Sequence, residues 1–324
     1  MRFNKRGLTT DEAVRAIANA LGVSARDVGV AGMKDKIAVT TQTVSLAIPR
    51  AADKGADFIA RAETLALHGI TVEEAKRHPH KLRTGHLAGN RFSVHVRGLD
   101  PSTVPGVRAS LEKVGREGLP NAFGAQRFGR DKDNAERARA WLSGRAAPPR
   151  DQRLRRLLFS ALQSELFNTV LEARVKSGSW ATPLLGDVLK RRSSGGLFLC
   201  TDVEEDTRRA LLGEVSPTGP IFGVKMMNAE GAPAELEAKV LAERLGQGVD
   251  LGTTKALGEG TRRSLRLWVD DLRVESVPAD GEQQASLRVY FVLPKGAYAT
   301  TVIGAVVDCE APAASQAGEA PSDT

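Results

Sequence analysis

Residues 31–42 read AGMKDKIAVTTQ, and this small-residue turn leading into a β-rich run decides how the N-terminal part of the chain is interpreted. A short apolar stretch at 28–30 precedes the turn, so the pattern predicts a loop between two strands that contains Asp35. Lys34 and Lys36 flank this residue. Cationic neighbours favour the ionised form of a carboxylate, and an ionised, positioned aspartate can act as a nucleophile or general base. Taken alone, the stretch is weak evidence for catalysis and is more typical of a structural turn aspartate.

Periodic apolar positions predict the elements around this loop. Thr9 and Glu12 have the spacing of a capping box at the start of a helix, and Gly22 is a typical residue for its end. The alternation of apolar residues over 44–48 predicts a strand with one buried face. Similar runs predict strands over 92–96 and 287–293, and helices over 104–115 (ended by Gly115), 154–175, 234–245 and 299–307.

The order of these elements predicts an α+β fold in which one domain is interrupted by an insertion. Strands and helices alternate near both ends of the chain, whereas helices dominate its middle. This interpretation requires residues near 1–117 and 268–310 to contribute to one sheet. Residues 311–324 lack Lys and Arg and are rich in Ala, Ser and Pro, so we expect a disordered tail there.

Composition is that of a globular protein with an anionic partner. The 324 residues are 41% hydrophobic and 26% charged, and the net charge of +7 with a pI near 9.6 favours nucleic acid among possible ligands. The two cysteines, Cys200 and Cys309, are too few for a disulfide framework and indicate a reducing compartment. The sequence shows no secretory signal and no apolar stretch long enough to cross a membrane, so we expect a cytoplasmic protein.

Basic residues are concentrated in two stretches. Residues 75–99 contain no acid, and residues 127–156 contain ten basic residues against four acids. Such stretches suit contacts with phosphates, and Phe92, Phe123 and Phe128 beside them could stack on bases. Each feature also has a simpler interpretation, namely a solvated charged surface for the basic residues and core packing for the rings. From the two stretches we take as RNA-binding candidates Lys81, Arg83, Arg127 and Arg130.

All five histidines fall between His68 and His95, which raises the question of a metal site and of a metal-dependent hydrolase. Their spacing is irregular, no cysteine lies near them and the surrounding cations oppose a divalent ion. We therefore expect no metal. Neither cysteine has a companion residue that would make it a nucleophile, so we expect buried thiols.

Five longer stretches occur in order at 31–42, 81–92, 119–129, 161–168 and 293–302, and together they resemble motifs of the tRNA pseudouridine synthase D (TruD) family. The resemblance extends over nearly the whole chain. It implies a pseudouridine synthase domain with a mixed or antiparallel sheet and flanking helices, and an inserted α/β TRUD domain. It also implies conversion of uridine to pseudouridine in tRNA, usually at uridine 13, without a cofactor. The implied boundaries are 1–117 with 268–310 for the catalytic domain and 118–267 for the insertion.

The resemblance assigns roles to four residues. Asp35 matches the family's nucleophile, Asn90 a residue that contacts the target base, and Phe92 an aromatic that lines the site. Tyr298 matches a base-contacting aromatic that is commonly Phe, so its hydroxyl is an addition that requires a hydrogen-bond partner.

Two departures from the family pattern accompany the match. The family normally begins with a segment that carries a Phe-x-Val-x-Glu strand, and here Met1 corresponds to a later position. An RNA-binding protein of the same fold with impaired catalysis is therefore an alternative. The second departure is at Gly304 and Ala305, where the family often has a charged pair.

Overall fold

The strands and helices of the chain form antiparallel sheets with packed helices, which confirms the predicted α+β class. The computed structural model describes residues 1–48, 52–129, 131–246, 254–277 and 284–308. The predictions for Arg130, Cys309 and the tail at 311–324 lie outside these residues. Two compact units are found, the first containing residues 1–91 and 294–296 and the second residues 92–293 and 297–307.

The first unit is built on one antiparallel sheet with the strand order β2-β3-β1-β5-β4. Its core includes Phe3 of the central strand, Ile17 of the first helix and Val44. Its elements are β1 (Arg2–Arg6), α1 (Thr10–Leu21), a 3₁₀ turn (Ala25–Asp27), β2 (Gly29–Val30), β3 (Val39–Ser45), α2 (Ala52–Glu63), β4 (Ala66–Leu67), β5 (Ile70–Glu74) and the start of β6 (Gly89–Leu99).

Helix α1 begins and ends as its sequence predicts. The Glu12 amide donates to the Thr9 hydroxyl, and the Glu12 carboxylate accepts from the Thr9 amide, so both halves of the capping box are present. Gly22 ends the helix with a φ of 71°, a left-handed conformation that glycine adopts at little cost.

The strand predicted over 44–48 was placed too late. The observed strand β3 covers Val39–Ser45 and pairs with β1 along its length. Gln42 and Val44 are the inward positions, and Gln42 is polar, so the apolar alternation misses the first part of the strand.

In its described residues the second unit contains three sheets, with strand orders β13-β14-β6, β12-β7 and β11-β10-β8-β9. The N-terminal strand β6 therefore shares a sheet with two C-terminal strands, while β1 to β5 form a sheet of their own; the predicted domain boundaries stay a prediction. Besides β6, the elements are α3 (Val104–Glu117), β7 (Leu119–Pro120), a 3₁₀ turn (Ala125–Phe128), α4 (Asn134–Leu142), α5 (Gln152–Lys176), β8 (Val188–Arg191), β9 (Leu197–Leu199), α6 (Val203–Leu211), β10 (Val215–Ile221), α7 (Gly231–Leu245), β11 (Thr261–Ser264), β12 (Arg266–Leu267), β13 (Asp270–Val277), β14 (Ala285–Pro294) and α8 (Ala299–Gly304).

The predicted end of helix α3 at Gly115 was wrong. The helix continues to Glu117, and Gly118 ends it with a φ of 70°. Gly115 instead faces strand β13, where a Cβ atom on it would lie 3.2 Å from Cβ of Leu272. The glycine therefore permits close packing of helix and strand.

Candidate functional site

Asp35 lies in the loop at 31–38 between β2 and β3, as predicted, and its side chain is exposed. Directly beneath it is Lys5 of strand β1, a lysine with only 1% of its surface exposed. The Lys5 ammonium donates to the backbone carbonyls of Asp35 and Leu8, both at 2.7 Å. Buried lysines are rare unless paired, so this contact fixes the backbone of Asp35 and places a positive charge beside it.

A chain of hydrogen bonds holds the rest of the loop. The Lys34 amide donates to the Thr10 hydroxyl at 2.8 Å, and that hydroxyl donates to Oε1 of Gln42 at 3.1 Å. Nε2 of Gln42 then donates to the Gly32 carbonyl at 2.9 Å. Because Thr10 and Gln42 are both buried, water does not compete for these bonds. These neutral groups position the loop together with Lys5, and the Asp35 side chain is exposed.

Lys34 connects this loop to Asn90, because its ammonium donates to Oδ1 of the Asn90 side chain. Burial lowers the pKa of Lys34, and the nearby charge of Asp35 opposes that change. Burial likewise lowers the pKa of Lys5, against the charges of Asp35 and Glu12. Lys36 is different, since its exposed ammonium lies 3.3 Å from the Glu12 carboxylate. The structure thus brings together two of the predicted residues, Asp35 and Asn90, through a lysine.

The segment that carries Lys81 and Arg83 packs against the same loop. The Gly85 amide donates to the Ala31 carbonyl at 2.8 Å. Gly29 approaches the segment so closely that a Cβ atom on it would lie 2.4 Å from the Leu82 carbonyl oxygen. Both cations are exposed, and the Lys81 ammonium donates to the Arg26 carbonyl at 2.8 Å.

The remaining predicted residues belong to the second unit. Phe92 is half-buried, and its ring stacks on that of Phe291 with centroids 5.4 Å apart. The ring therefore contributes to the core of this unit. Tyr298, which immediately precedes α8, is 48% exposed. Arg127 is exposed, and its guanidinium donates to the hydroxyls of Ser164, at 3.1 Å, and Ser160.

Sequence reasoning missed Lys5, Thr10 and Gln42, which hold the Asp35 loop. The signal for Lys5 is its position in β1. It lies two residues after Phe3, and residues two apart in a strand point to the same side, which here is the buried one. Sequence reasoning also missed Arg263, whose guanidinium lies 4.1 Å from the centroid of the Phe123 ring. A signal for Arg263 exists as well. It follows Arg262 directly in β11, and neighbouring residues in a strand point to opposite sides, so the two arginines cannot both be buried on the same side.

The sequence raises the question of whether the histidines and the described cysteine act as metal ligands or nucleophiles. Nδ1 of His78 lies 2.8 Å from the His80 carbonyl oxygen, and both residues line a cleft of about 970 Å³ in the first unit. Within residues 1–48, 52–129, 131–246, 254–277 and 284–308, no three His, Cys, Asp or Glu side chains are grouped as metal ligands. Cys200 is buried as expected, and burial and nearby carboxylates, mainly Asp206, raise the pKa of its thiol to about 12. No helix in the described part of the chain is both long and apolar enough to span a membrane.

Comparison with known proteins gives a consistent result. The family model for tRNA pseudouridine synthase D (TruD) matches residues 1–146 and 143–305. The tRNA pseudouridine synthase D of Anaeromyxobacter sp. (strain Fw109-5) is 44% identical over 308 residues, covering 94% of this chain and 83% of that protein. A Thermus thermophilus protein of the same name is 37% identical, with 99% and 85% covered.

Among solved structures, a Methanosarcina mazei protein assigned as tRNA pseudouridine synthase D superposes with a TM-score of 0.74. The match covers 94% of this chain and 86% of that one, at 24% sequence identity. At this identity the likeness establishes the fold.

Proposed function

Because the chain belongs to the tRNA pseudouridine synthase D family, we propose that it isomerises uridine to pseudouridine in tRNA, at uridine 13, with Asp35 as the nucleophile. The observation that carries the proposal is the exposed carboxylate of Asp35 on a loop fixed from below by Lys5, Thr10 and Gln42. Catalysis requires a reacting group held in a defined position, and a loop anchored by buried side chains provides it. The alternative of an impaired RNA-binding protein is not supported by this arrangement.

The reaction breaks the N-glycosidic bond at C1′, turns the uracil and joins its C5 to the same C1′. The C5 proton is lost and N1 gains a proton, so the atoms balance without a redox partner, metal or cofactor. Asp35 can act on C1′, on the C2′ proton or on the base, and each route requires an ionised and accessible carboxylate. A target nucleotide within a helix must first be extruded, which costs a few kcal/mol.

Asn90, Phe92 and Tyr298 are proposed to contact the target base. The Lys34 ammonium donates to Oδ1 of Asn90, and the Nδ2 amide of the same side chain is a donor suited to a uracil carbonyl oxygen. The exposed ring of Tyr298 offers a stacking surface. The exposed cations Lys81, Arg83 and Arg127 are proposed to contact the RNA backbone. The reaction needs one RNA and no protein partner, and we place it in the cytoplasm, where reduced cysteines are expected.

The test is incubation of the purified protein with a tRNA transcript that carries uridine tritiated at C5. Formation of the C–C bond releases this tritium to water, and mapping of the product should locate pseudouridine at position 13. A transcript with cytidine at that position is the control for the site. The absence of tritium release from a well-folded protein with a tRNA that it binds would contradict the proposal and favour the impaired alternative.

The nucleophile is tested separately with Asp35→Asn, which keeps the size of the side chain and removes its charge. We expect turnover to fall at least about 1,000-fold, while the Kd for tRNA stays within about threefold, because the substitution removes no RNA-binding cation. Asp57→Asn, an exposed aspartate on α2, is the matched control and should have wild-type turnover. Turnover retained in Asp35→Asn refutes the assignment.

A further inference from the structure

Two neighbouring arginines on strand β11 have opposite environments. Arg262 is buried and donates to both carboxylate oxygens of Glu237, at 2.8 and 2.7 Å. Arg263 points to the other side of the strand and donates to neutral oxygens of Asn121, at 2.6 Å to Oδ1 and 3.3 Å to the backbone carbonyl. No carboxylate among the described residues lies within 4.0 Å of the Arg263 guanidinium. Arg262 is thus neutralised internally, whereas Arg263 keeps an unmatched charge.

Arg263 lies over an aromatic platform, the Phe123 ring, which the surrounding chain holds in place. Its guanidinium lies 4.1 Å from the centroid of the Phe123 ring. Phe123 is itself fixed, because its amide donates to Oδ1 of Asn168 at 2.8 Å and its carbonyl accepts from Nδ2 of Asn168 at 3.0 Å. Stacking and the bonds to Asn121 therefore orient Arg263 without using its charge.

A second guanidinium shares this platform. Arg127 lies 5.6 Å from the centroid of the Phe123 ring and is fixed by the hydroxyls of Ser160 and Ser164, again neutral groups. No carboxylate within the described part of the chain forms an ion pair with it. Burial, together with the charge of Arg127, lowers the pKa of Arg263 to about 10, which still leaves Arg263 charged at neutral pH. Two like charges held near each other without a counter-charge are unfavourable until an anion joins them.

Another arginine stack in the same unit shows how this repulsion is relieved internally. Arg266 and Arg192 lie 3.5 and 4.8 Å from the centroid of the Trp268 ring. There, Arg192 forms an ion pair with Asp270. The Trp268 stack carries its own anion, while the Phe123 stack does not.

We propose that Arg127 and Arg263, whose guanidiniums both lie over the Phe123 ring, bind one backbone phosphate of the RNA substrate. Guanidinium groups match phosphate oxygens with paired N–H donors, and each arginine keeps N–H groups that its neutral anchors do not use. The inference rests on the proposed function and adds to it a specific phosphate-binding site.

The test is the salt dependence of tRNA binding, because the slope of log K against log [salt] counts neutralised phosphates rather than arginines. Each phosphate contributes about 0.7 to 0.9 to this slope. Arg127→Gln and Arg263→Gln should each weaken binding about tenfold at moderate salt, and the double variant should lower the slope by about 0.7 to 0.9 in total. An unchanged slope in the double variant overturns the proposal. A decrease of about twice that size shows two separate phosphates and overturns the shared site.

Several controls keep the result decisive. Arg127 is exposed, so Arg127→Gln tests the site even if Arg263→Gln fails to fold in a thermal melt. If both arginines bind one phosphate, Arg127→Gln alone should weaken binding while Arg263 keeps the slope unchanged, and a decrease of about 0.7 to 0.9 in this single variant overturns the shared site. Arg263→Lys keeps the charge but loses the planar fork, and we expect it to retain the slope while weakening binding. Arg208→Gln removes an exposed arginine that pairs with Glu205 on helix α6, and binding should be unaffected.

Failure of this inference is distinguishable from failure of the proposed function. If the protein forms pseudouridine and all arginine variants bind tRNA with the wild-type slope, the phosphate site is wrong and the proposed function stands. If tRNA binding weakens as described but no pseudouridine forms, the phosphate site stands and the proposed function is wrong.

Discussion

The loop of residues 31–38 presents an exposed carboxylate beside two lysines, whereas the Phe123 platform presents two guanidiniums with no carboxylate within 4.0 Å in the described residues. Both are held in part by buried or half-buried neutral groups, among them Thr10 for the loop and Asn121 for the platform, and the loop is also held by the ammonium of Lys5. Neutral anchors fix a side chain without cancelling its charge. The sign of the remaining charge agrees with the role proposed for each region, namely a reacting anion in the loop and cations that bind a phosphate on the platform.

The largest effect we expect comes from disturbing the arginine that does have a counter-charge. Glu237→Gln leaves the Arg262 guanidinium buried without a carboxylate, which should lower the free energy of unfolding by about 3 to 5 kcal/mol. Urea denaturation measures this, and Glu243→Gln on the exposed side of α7 should cost less than about 1 kcal/mol. If Glu237→Gln is as stable as the wild type, Arg262 does not depend on the Glu237 carboxylate, and the contrast drawn between Arg262 and Arg263 is wrong.

A smaller effect is expected in the Asp35 loop. Lys5→Met removes the buried ammonium and leaves the carbonyls of Leu8 and Asp35 without their donor, so the loop should shift. A displacement of about 1 Å can cost about 100-fold in turnover. We expect kcat to fall by that order, with the Kd for tRNA within about threefold, in a variant whose folding is verified by thermal melting. An equal loss of kcat and binding would show that Lys5 only maintains the fold.

The smallest effect concerns the other lysine beside Asp35. Lys36 is exposed and its ion pair with Glu12 is solvated, and such pairs contribute about 0.2 to 1 kcal/mol. Lys36→Ala should therefore lower stability by no more than that and leave turnover within about twofold. A large loss of turnover with unchanged tRNA binding would mean that exposed cations, as well as buried ones, support the carboxylate.

Much of the fold was predictable because its signals are local. The capping box of Thr9 and Glu12 and the left-handed Gly22 depend on residues within one turn of each other. The long helix α5 at 152–176 follows from apolar periodicity over its own length. Prediction failed where a partner outside the element decides the outcome, as for Gly115, whose neighbour Leu272 lies on a distant strand.

The sequence by itself determined that Asp35 lies in a loop between strands with lysines on both sides, because turn and strand propensities act between adjacent residues. The tertiary structure decided which partners those charges have. Lys5 reaches Asp35 across 30 residues, Lys34 reaches Asn90 across 56, and Arg263 reaches Asn121 across 142. Burial and partner choice depend on which surfaces the whole chain packs together, and no local pattern contains that information.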